Sequence, residues 1–175
     1  MNPKNCNSDI TFITGGQRSG KSSFAQQLAL SKSDTPVYLA TARVWDDDFK
    51  SRIQRHKSDR GDMWQTMEKE IDIHQVDINQ KTVVLDCITL WLTNIFHDNE
   101  YDVEKSLKKA TTIWDLFISK KAQIIVVSNE LGMGIHAENE ASRKFTDLQG
   151  WMNQYIAQTA DEVFLMISGM PLKIK

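Results

Sequence analysis

Short apolar runs alternate with longer amphipathic stretches along most of this chain, the pattern of βαβ units that lay a parallel sheet between helices. The runs predict strands over 10–14, 37–41, 82–86, 123–128 and 162–167, and a closing strand over 171–174 beyond the turn residues Ser168 and Gly169. Spacings near 3.6 predict helices over 22–31, 46–57 and 103–120. A further helix runs from a cap at Asn139 to residue 160, and another follows the third strand over 87–96. Segment 67–80 fits neither period, and there is no internal repeat.

Length and charge narrow the class. A chain of 175 residues suits one α/β unit, and at that size about 70% of the unfolded surface is buried on folding. Residues 1–8 are polar and read as a poorly ordered tail, leaving 9–175 as a single domain. A net charge of −2 gives no field for nucleic acid, so any bound anion must be held by a local cluster. The two cysteines, Cys6 and Cys87, cannot build a disulfide framework, which points to a reducing, cytoplasmic setting. No run approaches the roughly 20 apolar residues that span a bilayer, and the start lacks the apolar stretch of a secretion signal.

The candidate chemistry begins where the first strand gives way to the first helix. Gly15-Gly16-Gln17-Arg18-Ser19-Gly20-Lys21-Ser22 is a phosphate-binding loop in its required context. Its glycines let backbone N–H groups turn onto a polyphosphate, Lys21 reaches the outer phosphates, and the Ser22 hydroxyl is placed to ligate Mg²⁺ at a helix N-terminus. The predicted fold is therefore a P-loop NTPase of the RecA-like kind, a three-layer α/β/α nucleotide-binding domain. Its sheet is mostly parallel, with an antiparallel C-terminal edge strand. Ligands of such sheets gather at the carboxyl ends of the strands. That rule draws attention to Thr41-Ala42-Arg43, to Asp86, and to Ser128-Asn129-Glu130 with Gly132 and Gly134. Asp86 after Val83-Val84-Leu85 reads either as a Mg²⁺ ligand opposite Ser22 or as a cap for the next helix. His56 follows Phe49 and Ile53 at helical spacing, among Arg52, Arg55, Lys57 and Arg60. Such a histidine is either a hydrogen-bonded core residue or a nucleophile kept neutral by its cationic neighbours.

Several motifs together resemble the bifunctional adenosylcobinamide kinase/adenosylcobinamide-phosphate guanylyltransferases of cobalamin biosynthesis. They are T-G-G-Q-R-S-G-K-S (14–22), Y-L-A-T-A-R (38–43), R-I-Q-R-H-K (52–57), W-Q-T-M-E (64–68), L-D-C-I-T-L-W-L-T-N (85–94), V-S-N-E-L-G-M-G-I (127–135) and the end S-G-M-P-L-K-I-K. The resemblance implies that His56 attacks the α-phosphate of GTP, forming a covalent GMP-histidine and releasing pyrophosphate. GMP then passes to adenosylcobinamide phosphate, giving adenosylcobinamide-GDP. It further implies GTP contacts from Ala40, Thr41, Ala42, Lys57, Ser58, Asp59, Arg60, Glu68 and Asp86, phosphorylation of adenosylcobinamide by ATP or GTP, and a homotrimer. Lys57 stands where the family often has Arg, and Arg60-Gly61 and His136-Ala137 stand where it often has proline-containing pairs. The competing readings are a generic small-molecule phosphate-loop kinase, in which His56 is structural, and a RecA-like nucleotide switch. For the kinase reaction no general base is named by the sequence.

Overall fold

A computed structural model describes residues 7–43, 61, 63–134 and 136–175. The predicted 46–57 helix, with His56, Lys57, Ser58, Asp59 and Arg60, lies outside the described residues. Strands are β1 (Asp9–Gly15), β2 (Val37–Ala40), β3 (Gln65–Glu68), β4 (Thr82–Asp86), β5 (Gln123–Val127), β6 (Glu162–Ile167) and β7 (Met170–Lys173). Helices are α1 (Lys21–Lys32), α2 (Ile88–Asp98), α3 (Val103–Ile118) and α4 (Glu140–Thr159), with a 3₁₀ turn at Ile73–Gln75.

The described strands form one seven-stranded sheet in the order β3-β2-β4-β5-β1-β6-β7. All neighbours are parallel except β6 and β7, the expected antiparallel edge. Alternation within each strand divides the core. Ile10, Phe12, Val37, Leu39, Val83, Leu85, Ile124 and Val126 face a large cluster with Trp91 and Leu92 of α2, Trp114 and Phe117 of α3, and Met152 and Ile156 of α4. Ile13, Tyr38, Val84, Ile125 and Val127 face the opposite side, against Ala25 and Ala29 of α1. Burial on both faces is why the central strands read as continuous apolar runs rather than as alternating ones.

The sequence boundaries hold to within one or two residues. Asn139 caps α4 as expected, its side chain accepting from Ser142 N–H at 2.8 Å. Asp102 does the same for α3 through Lys105 N–H at 2.9 Å. The helix predicted over 87–96 starts at Ile88 and runs on to Asp98. The departure is β3, which the apolar pattern does not mark. Among the described residues it pairs only with β2, at the sheet's edge, and three of its four residues are exposed, so no hydrophobic run announces it. At the other end of the chain, Asn7 and Ser8, read as tail, are tied down. Asn7 donates its amide N–H to Ile118 O and its Nδ2 to Ser119 O, and Ser8 Oγ donates to Lys120 O.

Candidate functional site

The phosphate loop leaves β1 at Gly15 and enters α1 at Lys21, with Gly20 in the left-handed region at φ +94°. It is built against the C-terminal hairpin. Gly169 N–H donates to Ser19 O at 3.0 Å, and a Cβ on Gly20 would come within 3.2 Å of Gly169 Cα. The turn residues Ser168 and Gly169, both at positive φ, thus support the loop from beneath, which gives the S-G-M-P motif a structural task.

Lys21 is 7% exposed and folds back so that Nζ donates to Gly16 O at 2.6 Å. Burial pulls its pKa below the ordinary lysine value, while the nearby Asp86 carboxylate pulls it the other way. Burial, reinforced by Asp86, pushes the Cys87 thiol up to about 12, so Cys87 is a neutral, buried group. With Cys87 uncharged, the negative charge that Lys21 feels is that of Asp86.

Asp86 ends β4 two residues after Val84, and period-two alternation puts its side chain on the sheet face that carries α1. Its Oδ2 accepts from Tyr38 Oη at 2.7 Å. The helix-cap alternative fails on geometry, because the N-cap of α2 is Cys87, in extended conformation and without a side-chain capping bond. Register aligns Glu68 with Ala40 and Ala40 with Asp86, so these residues form one row along the carboxyl edge of β3, β2 and β4.

Thr41, fully buried, clamps this row to the strand end. Its Oγ1 donates to Cys87 O at 2.8 Å and accepts from Cys87 N–H at 3.1 Å. Asn94 of α2 donates Nδ2 to Thr41 O at 2.8 Å and to Glu70 O at 3.0 Å. Past Ala42, Arg43 bonds Glu70 Oε2 at 2.7 Å and forks onto Asp98 at 2.8 and 3.1 Å.

Hydrogen bonds from that guanidinium hold Asp98 down to about 2. A carboxylate depressed in the folded state contributes stability above its unfolded pKa of about 4 and loses it as pH falls from there towards 2. Asp98→Asn is expected to lower the unfolding temperature at pH 7 and to match the wild type at pH 2; thermal melts at the two pH values check this.

The segment after β5 completes the edge. Ser128 N–H donates to Ile13 O and Glu130 N–H to Gly15 O, both at 2.9 Å, so the segment runs directly beside the loop. Gln149 and Asn153 of α4 hold it from below: Gln149 Nε2 donates to Ser128 Oγ at 2.7 Å, and Asn153 Nδ2 to Asn129 O at 3.1 Å. Thr89 Oγ1 receives both Asn129 N–H groups, backbone and side chain, at 3.1 Å. Thr89, Asn94, Gln149 and Asn153 carry no signal in the apolar pattern, since polar residues on helices read as solvated faces. Only their hydrogen bonds across the fold, and for Asn94, Gln149 and Asn153 their burial, show them to be supports.

The described positions implied by the sequence are thus brought to one edge: Gly15, Gly16, Gln17, Arg18, Ser19, Gly20, Lys21 and Ser22 in the loop, with Ala40, Thr41, Ala42, Glu68 and Asp86 across the adjoining strands. A cavity of about 600 Å³, lined in part by Lys32, Lys81 and Lys121, opens at the opposite end of the sheet and contains none of these residues. Among the described residues no cluster of three or more His, Cys, Asp or Glu could hold a metal by itself. Ser22 and Asp86 suit a cation that arrives on a nucleotide, because Mg²⁺ keeps several waters and takes one or two carboxylates plus phosphate oxygens.

Known proteins resemble this chain in sequence along nearly its whole length. The family described as cobinamide kinase / cobinamide phosphate guanyltransferase matches residues 11–174. The bifunctional adenosylcobalamin biosynthesis protein CobU of Escherichia coli (strain K12) is 35% identical, over 95% of this chain and 99% of its own length. CobU of Salmonella typhimurium is 34% identical over the same shares. CobP of Pseudomonas aeruginosa is 32% identical, over 94% of this chain and 96% of its own. Among solved structures, an ATPase from the type III secretion system of pathogenic bacteria superposes with a TM-score of 0.51 at 9% identity. That match covers 90% of this chain and 51% of the other, and it supports the fold alone. With a family match spanning nearly every residue and relatives above 30% identity end to end, this chain belongs to the cobinamide kinase / cobinamide phosphate guanyltransferase family.

Proposed function

We propose that this transferase performs both reactions of its family on one phosphate loop, with His56 as the nucleophile of guanylyl transfer and Mg²⁺ as the cofactor. The observation that carries the proposal is the gathering of the phosphate loop, with Lys21 buried in it, and of Asp86, Ala40 and Glu68 in one row at the carboxyl edge of the sheet. A buried lysine whose ammonium now satisfies itself on Gly16 O is poised to exchange that carbonyl for phosphate oxygens.

In the transferase reaction the neutral imidazole of His56 attacks the α-phosphorus of GTP. A nitrogen–phosphorus bond forms, the bond to the bridging oxygen breaks, and pyrophosphate leaves. A phosphate oxygen of adenosylcobinamide phosphate then attacks the same phosphorus, the nitrogen–phosphorus bond breaks, and adenosylcobinamide-GDP is released. An unperturbed histidine pKa of about 6.5 makes the neutral nucleophile available at cellular pH. Lys21 and the loop amides stabilise charge on the departing pyrophosphate. Mg²⁺, held by Ser22 and Asp86, would supply Lewis-acid neutralisation of the same charge. Lys57, Ser58, Asp59, Arg60 and Glu68 contact the GTP. In the kinase reaction the same loop presents the γ-phosphate of ATP or GTP to a hydroxyl of adenosylcobinamide. We further propose that the protein works in the cytoplasm as a homotrimer; among the described residues no helix is long and apolar enough to cross a membrane.

Incubation with GTP labelled at the α-phosphate tests the reading. The expected result is a protein adduct that is labile in acid, stable in alkali, and discharged by adenosylcobinamide phosphate. A simple kinase or a nucleotide switch would yield no adduct.

A further inference from the structure

Tyr38 is 4% exposed, yet it carries a hydroxyl into the core beneath α1. Register explains where that hydroxyl goes. Tyr38 on β2 lies opposite Val84 on β4, so Asp86, two residues further along, is its diagonal neighbour on the same face of the sheet. The ring is fixed from outside by Trp64, which meets it edge-on with centroids 6.0 Å apart and planes at 83°. The resulting bond runs from Tyr38 Oη to Asp86 Oδ2 at 2.7 Å, the length of a charge-assisted O–H···O⁻ contact.

A carboxylate at the end of β4 has two claims on it. One is Lys21, close enough for its charge to be felt; the other is a cation bound beside Ser22. Were the carboxylate free to rotate, it would turn both oxygens to the ammonium and hold Lys21 away from phosphate. A donor fixed on Oδ2 prevents this and leaves Oδ1 as the oxygen presented to the loop.

We propose that Tyr38 is a positioning residue for the divalent cation of the bound nucleotide, acting by fixing which oxygen of Asp86 faces the phosphate loop. The inference deepens the proposed function, since it rests on Asp86 being the carboxylate that receives the metal. It makes Tyr38 part of the machinery of both reactions although its side chain is buried beneath α1. Partners that orient metal-binding carboxylates typically change metal affinity by about 10–100-fold when lost.

The test is a Mn²⁺ titration, followed by the electron paramagnetic resonance of the free ion, of the full chain bound to a non-hydrolysable GTP analogue. Tyr38→Phe removes only the hydroxyl and keeps the ring that packs the core. The expected result is a rise of about tenfold in the Mn²⁺ concentration at half-saturation, with analogue affinity in EDTA unchanged to within about twofold. Adding Tyr38→Phe to Asp86→Asn should then produce no further change, because the hydroxyl acts only through that carboxylate. An unchanged Mn²⁺ midpoint would overturn the inference, as would equal losses with and without metal, which would mean the hydroxyl merely supports the fold. A wild-type protein whose affinity for the analogue ignores Mn²⁺ would instead remove the metal role of Asp86, and this inference with it.

Discussion

Lys21→Ala is expected to lower both GMP transfer and phosphorylation about a hundredfold, a loss near 3 kcal/mol of charge stabilisation at the transferring phosphorus. The protein should remain folded. Lys21 is a buried cation whose pKa is pulled down chiefly by desolvation, so its charge opposes folding rather than driving it. Its ammonium donates to Gly16 O, a loop carbonyl whose place phosphate oxygens can take. Turnover assays on the two half-reactions, paired with thermal melts, separate the outcomes. Low activity at an unchanged or raised unfolding temperature supports the loop assignment. Near-native turnover, or a loss of activity explained by unfolding, contradicts it.

Gly15→Ala should fail in the opposite way, through the fold. Gly15 stands at φ +149°, and a Cβ there would lie 2.6 Å from Met166 O and 2.9 Å from Ser19 Oγ. The nearer obstacle is backbone of β6, paired with β1 in register at this residue, so it cannot turn aside as a side chain would. Left-handed strain costs roughly 1–2 kcal/mol, and overpacking typically adds 1–3 kcal/mol. The expected loss is thus about 2–5 kcal/mol, which for a chain of this size lowers the unfolding temperature by very roughly 5–20 °C. Calorimetry checks it; a melt indistinguishable from the wild type would show that the first loop glycine is not constrained as described. Gly16, by contrast, has open space around its Cα, so Gly16→Ala meets no such clash.

The contrast between those two glycines marks what the sequence could and could not reveal. The loop was legible because its residues are consecutive and its flanks have opposite periods, and Asp86 because an acid after a buried run is conspicuous. The central strands were legible because burial on both faces leaves little but apolar residues in them. β3 was not, since an exposed edge strand needs no apolar run. Nor were Tyr38, Asn94, Gln149 and Asn153 marked as supports. Each acts across the fold on a partner at least 21 residues away, and spacing along the chain carries no record of such pairs. The cap reading of Asp86 was likewise open in the sequence, and it is the position of the α2 cap at Cys87 that removes it. The 46–57 segment lies outside the described residues, so the nucleophile rests on the resemblance of R-I-Q-R-H-K and on membership of the family.

The chain contains four histidines, and they stand in different settings. His74 sits within the 3₁₀ turn with its Nδ1 buried, His97 lies 3.4 Å from Asp98 and edge-on to Tyr101, and His136 is exposed ahead of α4. Proteolysis of the protein after brief exposure to GTP, under alkaline conditions that preserve a phosphorus–nitrogen bond, followed by mass spectrometry of the peptides, identifies the bearer of GMP. A single modified peptide carrying the group on His56, and absent from His56→Ala, is the expected result. Guanylylation of His74, His97 or His136, or an unmodified protein that still makes adenosylcobinamide-GDP, would contradict it.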